Sequence, residues 1–192
     1  MAFSAIEGKA FFREFVRIFQ VDNQFARILD IGAGAGTYHD QIVEALEGTK
    51  YPRPVVHGVE FFFPYLERFR LADKYDRIMV GDATEMRFEK YDLIILGDVL
   101  EHIPREKAIE FFKYLKTRAR FVLLSLPVDS SFRPWFWGYP QPESDWAENV
   151  AERHQHEWQY DEVVKELGPF LWQIPYRTVA VFVAEGNGAE NE

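Results

Sequence analysis

Apolar and polar positions along this chain alternate between two periods. Over residues 4–20, Ile6, Ala10, Phe11, Phe15, Ile18 and Phe19 recur near helical spacing, which predicts an amphipathic helix across one face of a sheet. Short, almost wholly apolar runs follow over 27–31, 55–60, 77–80, from Tyr91 onward and over 120–126, as expected of parallel strands buried on both faces. Between them, helices are predicted over 36–47, 62–72 and 104–116, with Pro64 tolerated because it falls in a first turn. From Pro127 to about His156 the pattern dissolves into Pro, Ser, Gly and large aromatics. It returns as a short helix over 159–167 and two strands over 170–174 and 178–184, joined through Pro175-Tyr176-Arg177. Strands alternating with helices imply an α/β, doubly wound, mostly parallel sheet. We expect one domain over 1–185, a loop over 127–157 that serves the substrate, and a disordered polar tail over 186–192.

Composition narrows the partners. A hydrophobic share of 47% in 192 residues suffices for one sizeable core. With no cysteine, neither a disulfide framework nor a thiolate zinc site is possible, which suits the cytoplasm. No apolar run reaches bilayer-spanning length, and Glu7, Lys9, Arg13, Glu14 and Arg17 interrupt the first apolar pattern, unlike a secretory signal. A net charge of −9 without a dense basic cluster disfavours nucleic acid as a partner. Lys116-Thr117-Arg118-Ala119-Arg120 reads more simply as a solvated helix end. Oligomeric state is left open.

The chemistry concentrates where the first strand breaks. Arg27-Ile28-Leu29-Asp30-Ile31 runs into Gly32-Ala33-Gly34-Ala35-Gly36 and then into a helix. Glycines at alternate positions let the backbone turn tightly and a ligand approach closely, with helix amides behind it. A dinucleotide site would be expected to space its glycines Gly-x-Gly-x-x-Gly. Here the spacing is Gly-x-Gly-x-Gly, with Asp30 two residues ahead.

This stretch resembles motif I of the class I S-adenosylmethionine-dependent methyltransferases, and later segments follow in that family's order. Val55-Val56-His57-Gly58-Val59-Glu60 ends in an acid suited to a ribose diol; Arg77-Ile78-Met79-Val80 leads to Gly81-Asp82-Ala83, where the family sets an acid and a small residue against adenine. Tyr91 to Ile103, with Gly97-Asp98-Val99-Leu100-Glu101-His102, resembles motif IV and its turn. The resemblance covers roughly residues 25–126. It implies a Rossmann-like, seven-stranded sheet closed by a C-terminal strand pair with one antiparallel member, and S-adenosylmethionine as cofactor.

Carried over residue by residue, it implies that Asp30, Gly32, Ala33, Gly34 and Gly36 hold the methionine half. Glu60 would take the ribose diol, with Phe61 beside it as a further cofactor contact, Asp82 and Ala83 the adenine, and Gly97 and Asp98 the methionine end. Asp30, Glu60 and Asp82 also fit plain turn acids. His102 is either a packing or capping residue or the general base that a hydroxyl acceptor needs. Five aromatics crowd Phe132 to Pro142, so Trp135, Trp137 and Tyr139, with His156 beyond them, are candidate contacts to a small-molecule or saccharide-like acceptor. They fit an internal hydrophobic cluster or an oligomer contact as well.

Asp98, Glu101 and His102 further resemble the Glu-x-x-Glu-His metal cluster of small-RNA 3′-terminal 2′-O-methyltransferases, with His154 or His156 as the later histidine. The aspartate at the first position, the acidic chain and the aromatic loop argue against it, so no metal is expected. Two other readings stand beside methyl transfer. One is an NAD-dependent oxidoreductase, which lacks its third glycine; the other is a binding module that keeps the pocket without turnover.

Overall fold

The computed structural model describes residues 8–21, 25–128, 154–176 and 179–188. Strands β1 (Arg27–Ile31), β2 (Val55–Glu60), β3 (Arg77–Val80), β4 (Tyr91–Gly97), β5 (Ala119–Pro127), β6 (Trp172–Pro175) and β7 (Val179–Glu185) form one sheet in the order β3-β2-β1-β4-β5-β7-β6. β7 runs antiparallel to both of its neighbours, β5 and β6, while the pairs among β1 to β5 are parallel. The α/β class and the reversed strand agree with expectation. Among the described residues no helix is long and apolar enough to cross a membrane.

Side chains alternate across the pleat, so each strand feeds two cores. Leu29, Ile31, Ile94, Leu96, Val122 and Leu124 face one side, where α5 (Arg105–Lys116) and a later helix, α6 (Tyr160–Leu167), cover them. Ile28, Leu93, Ile95, Phe121 and Leu123 face the other, under α1 (Lys9–Gln20) and α2 (Thr37–Leu46). The register β1–β4 pairs Asp30 with Ile95 and Ile31 with Leu96, which brings the ends of both strands to one sheet edge. In an open α/β sheet that carboxyl edge is where ligands bind.

Three expectations need correction. The helix over 62–72 is two short pieces, α3 (Pro64–Arg68) and α4 (Leu71–Lys74), because Arg70 takes a left-handed φ of 52°. The break lets Leu71 enter the core and aims Lys74 at α2, where it donates to Asp40 Oδ2 (2.6 Å). The buried face of α1 is rotated from the one the apolar spacing predicts: Lys9, Phe12, Phe15, Val16 and Gln20 are buried, whereas Ile18 is exposed. Aromatic packing decides this, since Phe12 sets its ring edge-on to Tyr38 of α2 and Phe15 packs on Phe25 and Phe121. Finally, the first residues of the tail are bound rather than loose. Gly186, Asn187 and Gly188 donate amides to the carbonyls of Arg120, Lys116 and Ala119. Residues 189–192 lie outside the described residues.

Candidate active site

The glycine turn is built by backbone geometry. Gly32, Gly34 and Gly36 have φ of 76°, 52° and 78°, a region costly for residues with a Cβ. The amides of Gly32 and Ala33 both donate to the carbonyl of Val59 (2.9 Å each), which ties the turn to the end of β2. Glu60, next along β2, completes the tie: Oε2 accepts from the Gly34 amide (2.8 Å) and Oε1 from the Phe62 amide (2.7 Å). A carboxylate offers about four acceptor positions, so two amides do not exhaust its capacity for a ribose diol. On the far side Lys74 donates to the Ala35 carbonyl (3.1 Å).

Asp30 lies beneath this turn, 1% exposed. Its Oδ2 accepts a 2.5 Å hydrogen bond from the Tyr75 hydroxyl, while Oδ1 has no hydrogen-bond partner among the described residues. Burial raises its pKa to about 7, against the opposing pull of the Tyr75 hydrogen bond and of Lys9. An acid buried with an open oxygen is suited to an incoming cation. The ammonium of a bound amino acid fits that description.

At the end of β4, Gly97 carries the ring of Tyr38 where a side chain would otherwise stand. Asp98 follows at a left-handed φ of 57°, its amide bound to the Ser125 carbonyl (2.9 Å) and its Oδ1 accepting from the Ser125 hydroxyl (3.1 Å). Gly97→Ala is therefore expected to destabilise the protein by about 1–3 kcal/mol, because the new methyl displaces the Tyr38 ring. For a domain of this size that lowers the melting temperature by roughly 2–12 °C, measurable by differential scanning fluorimetry.

The remaining predicted residues divide. Phe61, 58% exposed, borders the site directly after Glu60. Asp82 behaves as a turn acid: Oδ1 accepts from the Thr84 amide and hydroxyl (2.9 and 2.6 Å) and Oδ2 lies 3.5 Å from the Lys107 ammonium, with Ala83 opening the short turn it caps. Burial works against its charge, yet these contacts hold its pKa below the ordinary carboxylate value. Trp135, Trp137 and Tyr139 lie outside the described residues. His156 packs against Trp158 (ring centroids 4.7 Å apart), and burial together with the Arg105 charge lowers its pKa, which favours a neutral ring facing α5 and α6.

His154 meets His102 instead. Their rings are 4.9 Å apart at 76°, and Gln155 donates its amide to the Glu101 carbonyl (2.7 Å), fastening the returning chain to the turn after β4. Glu101, 2% exposed, lies 3.9 Å from His102 Nε2. One ligand atom each from Glu101, His102 and His154 falls within 4.8 Å of the others. Sequence reasoning missed Lys9, Lys74, Tyr75 and Ser125 as site residues; none carries a local motif, and all four arrive by tertiary packing.

A family model described as a methyltransferase domain matches residues 5–171. The chain belongs to that methyltransferase family. It has the fold of the class I S-adenosylmethionine-dependent methyltransferases. Solved structures share the fold of this methyltransferase. A putative O-methyltransferase from Nostoc punctiforme superposes with a TM-score of 0.61 at 17% identity, over 93% of this chain and 56% of that one. The N-terminal domain of EvdMO1 with SAH bound gives 0.63 at 14%, over 95% and 82%. Magnesium protoporphyrin IX methyltransferase from Synechocystis with bound SAM gives 0.61 at 16%, over 93% and 79%. The methyltransferase thus spans a little over half the length of the Nostoc protein. No curated protein matches it.

Proposed function

We propose that this domain, working in the cytoplasm, moves the methyl group of S-adenosylmethionine to a hydroxyl of a small-molecule or saccharide-like acceptor. Methyl transfer from a sulfonium is an in-line displacement, so the protein's task is to align the oxygen and exclude water. The observation that carries the reading is the imidazole of His102 beside the buried Glu101 carboxylate, in the short turn that follows Asp98. His102 would take the hydroxyl proton as the acceptor oxygen bonds to the methyl carbon; S-adenosylmethionine, when bound, would supply that methyl and keep the electron pair of the broken bond on sulfur. Glu101 then steadies the imidazolium. Trp135, Trp137 and Tyr139, aromatic residues outside the described ones, are carried in this reading as acceptor contacts on their residue types alone. A saccharide-like acceptor also draws support from the EvdMO1 domain, which was crystallised in the presence of SAH and D-fucose.

The convergence of Glu101, His102 and His154 favours a second reading. A divalent cation held by one carboxylate and two imidazoles would lower the pKa of a bound hydroxyl and replace the base. One experiment separates the two: methylation of a panel of sugars and hydroxylated ring compounds, followed by mass spectrometry with EDTA or with added Mn²⁺. If imidazole is the base, activity survives chelation and His102→Ala costs about 10²- to 10⁴-fold in kcat. If a metal serves, EDTA abolishes activity and Mn²⁺ restores it. Tight S-adenosylhomocysteine binding with no methylated product from any acceptor would instead favour a module without turnover.

A further inference from the structure

No run of this sequence is strongly basic, yet the parallel topology assembles a basic surface. The strands β1 to β5 all start at one edge of the sheet, opposite the glycine turn. Each has a Lys or Arg within two residues of its start: Arg27, Arg53, Arg77, Lys90 and Arg118. At about 4.8 Å between neighbouring strands, the band from Arg77 on β3 to Arg120 on β5 is about 19 Å long.

The acids around these strand starts are already engaged. Glu89 pairs with Arg27, Asp76 with Arg53, and Asp92 accepts the amides of Ala26 and Arg27 (2.8 Å each). Arg77, Arg87, Lys90, Lys116, Arg118 and Arg120 form no ion pair among the described residues. Counter-ions are plentiful in a chain with 31 acids against 22 Lys and Arg, and cations elsewhere take them, Arg13 with Glu44, Lys74 with Asp40, and Lys107 with Asp82 and Glu85. The dipole of α5 accounts for Lys116 in its last turn, but not for Arg87 or Lys90 on the segment that enters β4.

Two of these cations converge. The guanidinium carbons of Arg87 and Arg118 lie 5.7 and 5.6 Å from the centroid of one ring, that of Tyr114 on α5, whose hydroxyl accepts from the Phe88 amide (2.8 Å). Arg118 Nε is buried with no hydrogen-bond partner among the described residues. Like charges on one ring repel, and a guanidinium fork is shaped to hold a carboxylate by two parallel N–H bonds. The backbone below is fixed, since the carbonyls of Lys116, Arg118, Ala119 and Arg120 accept from the amides of Asn187, Tyr91, Gly188 and Gly186. Cations on a rigid floor lose little backbone entropy when a partner binds. The field reaches His57 on β2, whose pKa is lowered by burial and then by the charges of Arg27 and Arg77.

We propose that this edge is a docking surface for an acidic segment of a partner protein, bound at the end of the sheet away from the glycine turn. A lipid surface or a nucleic-acid backbone presents uniform negative charge and would press it against Glu89 and Asp76, which share the edge. A polypeptide can place carboxylates only where the unpaired cations stand. The assignment is independent of the methyl acceptor.

The full chain is titrated by fluorescence anisotropy with a labelled peptide of about eight glutamates, long enough at ~3.3 Å per residue to span the band. Binding is expected, weakening about tenfold between about 50 and 200 mM salt. Arg87→Glu combined with Lys90→Glu reverses two exposed charges and is expected to weaken it by about tenfold or more. Arg68→Glu, on α3 beyond the carboxyl end of β2, should leave it within about twofold. Arg77→Glu repeats the comparison at the other end of the band, so a double variant that fails to fold does not remove the test. A wild type that does not bind the peptide overturns the proposal. So does an equal loss in Arg68→Glu and the edge variants, or tighter binding to phosphatidylserine vesicles or to single-stranded DNA than to the peptide.

Discussion

Glu60→Ala is expected to weaken S-adenosylhomocysteine binding by about a hundredfold or more and to lower the melting temperature at the same time. The two effects share one cause. Glu60 sits at the end of β2 and takes the amides of Gly34 and Phe62 on separate oxygens, so it holds the glycine turn against the strand that carries it. Removing the carboxylate strands two partly buried amides, at a cost of about 1 kcal/mol each, which for a chain of this length is roughly 4–8 °C. Binding is expected to lose more, because on the proposed reading the same oxygens would take the ribose diol, and two hydrogen bonds to a charged group are together worth about 3–6 kcal/mol. Glu60→Gln makes the sharper comparison, since it preserves shape but turns an amide NH₂ toward one of the two N–H donors. Calorimetric affinity in Glu60→Ala equal to wild type would remove Glu60 from the cofactor site, whatever the thermal shift.

Cofactor binding is expected to tighten about tenfold between pH 6 and pH 7.5 and then level off. Asp30 has a pKa of about 7 in the folded, ligand-free protein, raised chiefly by burial and held from rising further by the Tyr75 hydrogen bond and Lys9. Only the ionised form pairs with an ammonium, so affinity follows the ionised fraction of Asp30, and binding below pH 7 releases a proton. Stability moves the other way. Because the folded pKa lies above the ordinary aspartate value of about 3.9, the folded chain holds a proton that the unfolded chain has lost between about pH 4 and 7. Asp30's contribution to stability is therefore complete below about pH 4 and is lost as pH rises through about 7. Asp30→Asn should abolish the pH dependence of binding. Tyr75→Phe, by removing a bond that favours the ionised carboxylate, should move the binding midpoint upward. A wild-type affinity flat from pH 6 to 7.5 would show that Asp30 is not titrating against the ligand.

Much of the fold was legible because it rests on local pattern. Apolar runs such as 91–97 and 119–127 are buried on both faces wherever they lie in a parallel sheet, so their composition alone marks them as strands. The helix after Gln159 announces itself by a capping box with Glu162, and Gly32-x-Gly34-x-Gly36 by a turn that only glycines tolerate without strain. Where two local signals conflicted, sequence reasoning erred. The apolar spacing of α1 fits more than one face, and only the contact of Phe12 with Tyr38 selects the one that turns Lys9 inward. The 62–72 stretch has helical character throughout, and only the need to seat Leu71 and Lys74 explains the break at Arg70.

The candidate site divides along the same line. The sequence by itself determined the α/β class, the glycine turn and the acids Asp30, Glu60 and Asp98 near strand ends, because strand period and turn stereochemistry are properties of neighbouring residues. Only the tertiary structure decided what those acids meet: Tyr75 on Asp30, Ser125 on Asp98, the Gly34 amide on Glu60, and His154 rather than His156 beside His102. Such partners lie tens of residues apart in the chain, and their meeting is set by strand order and helix packing, which no local pattern encodes.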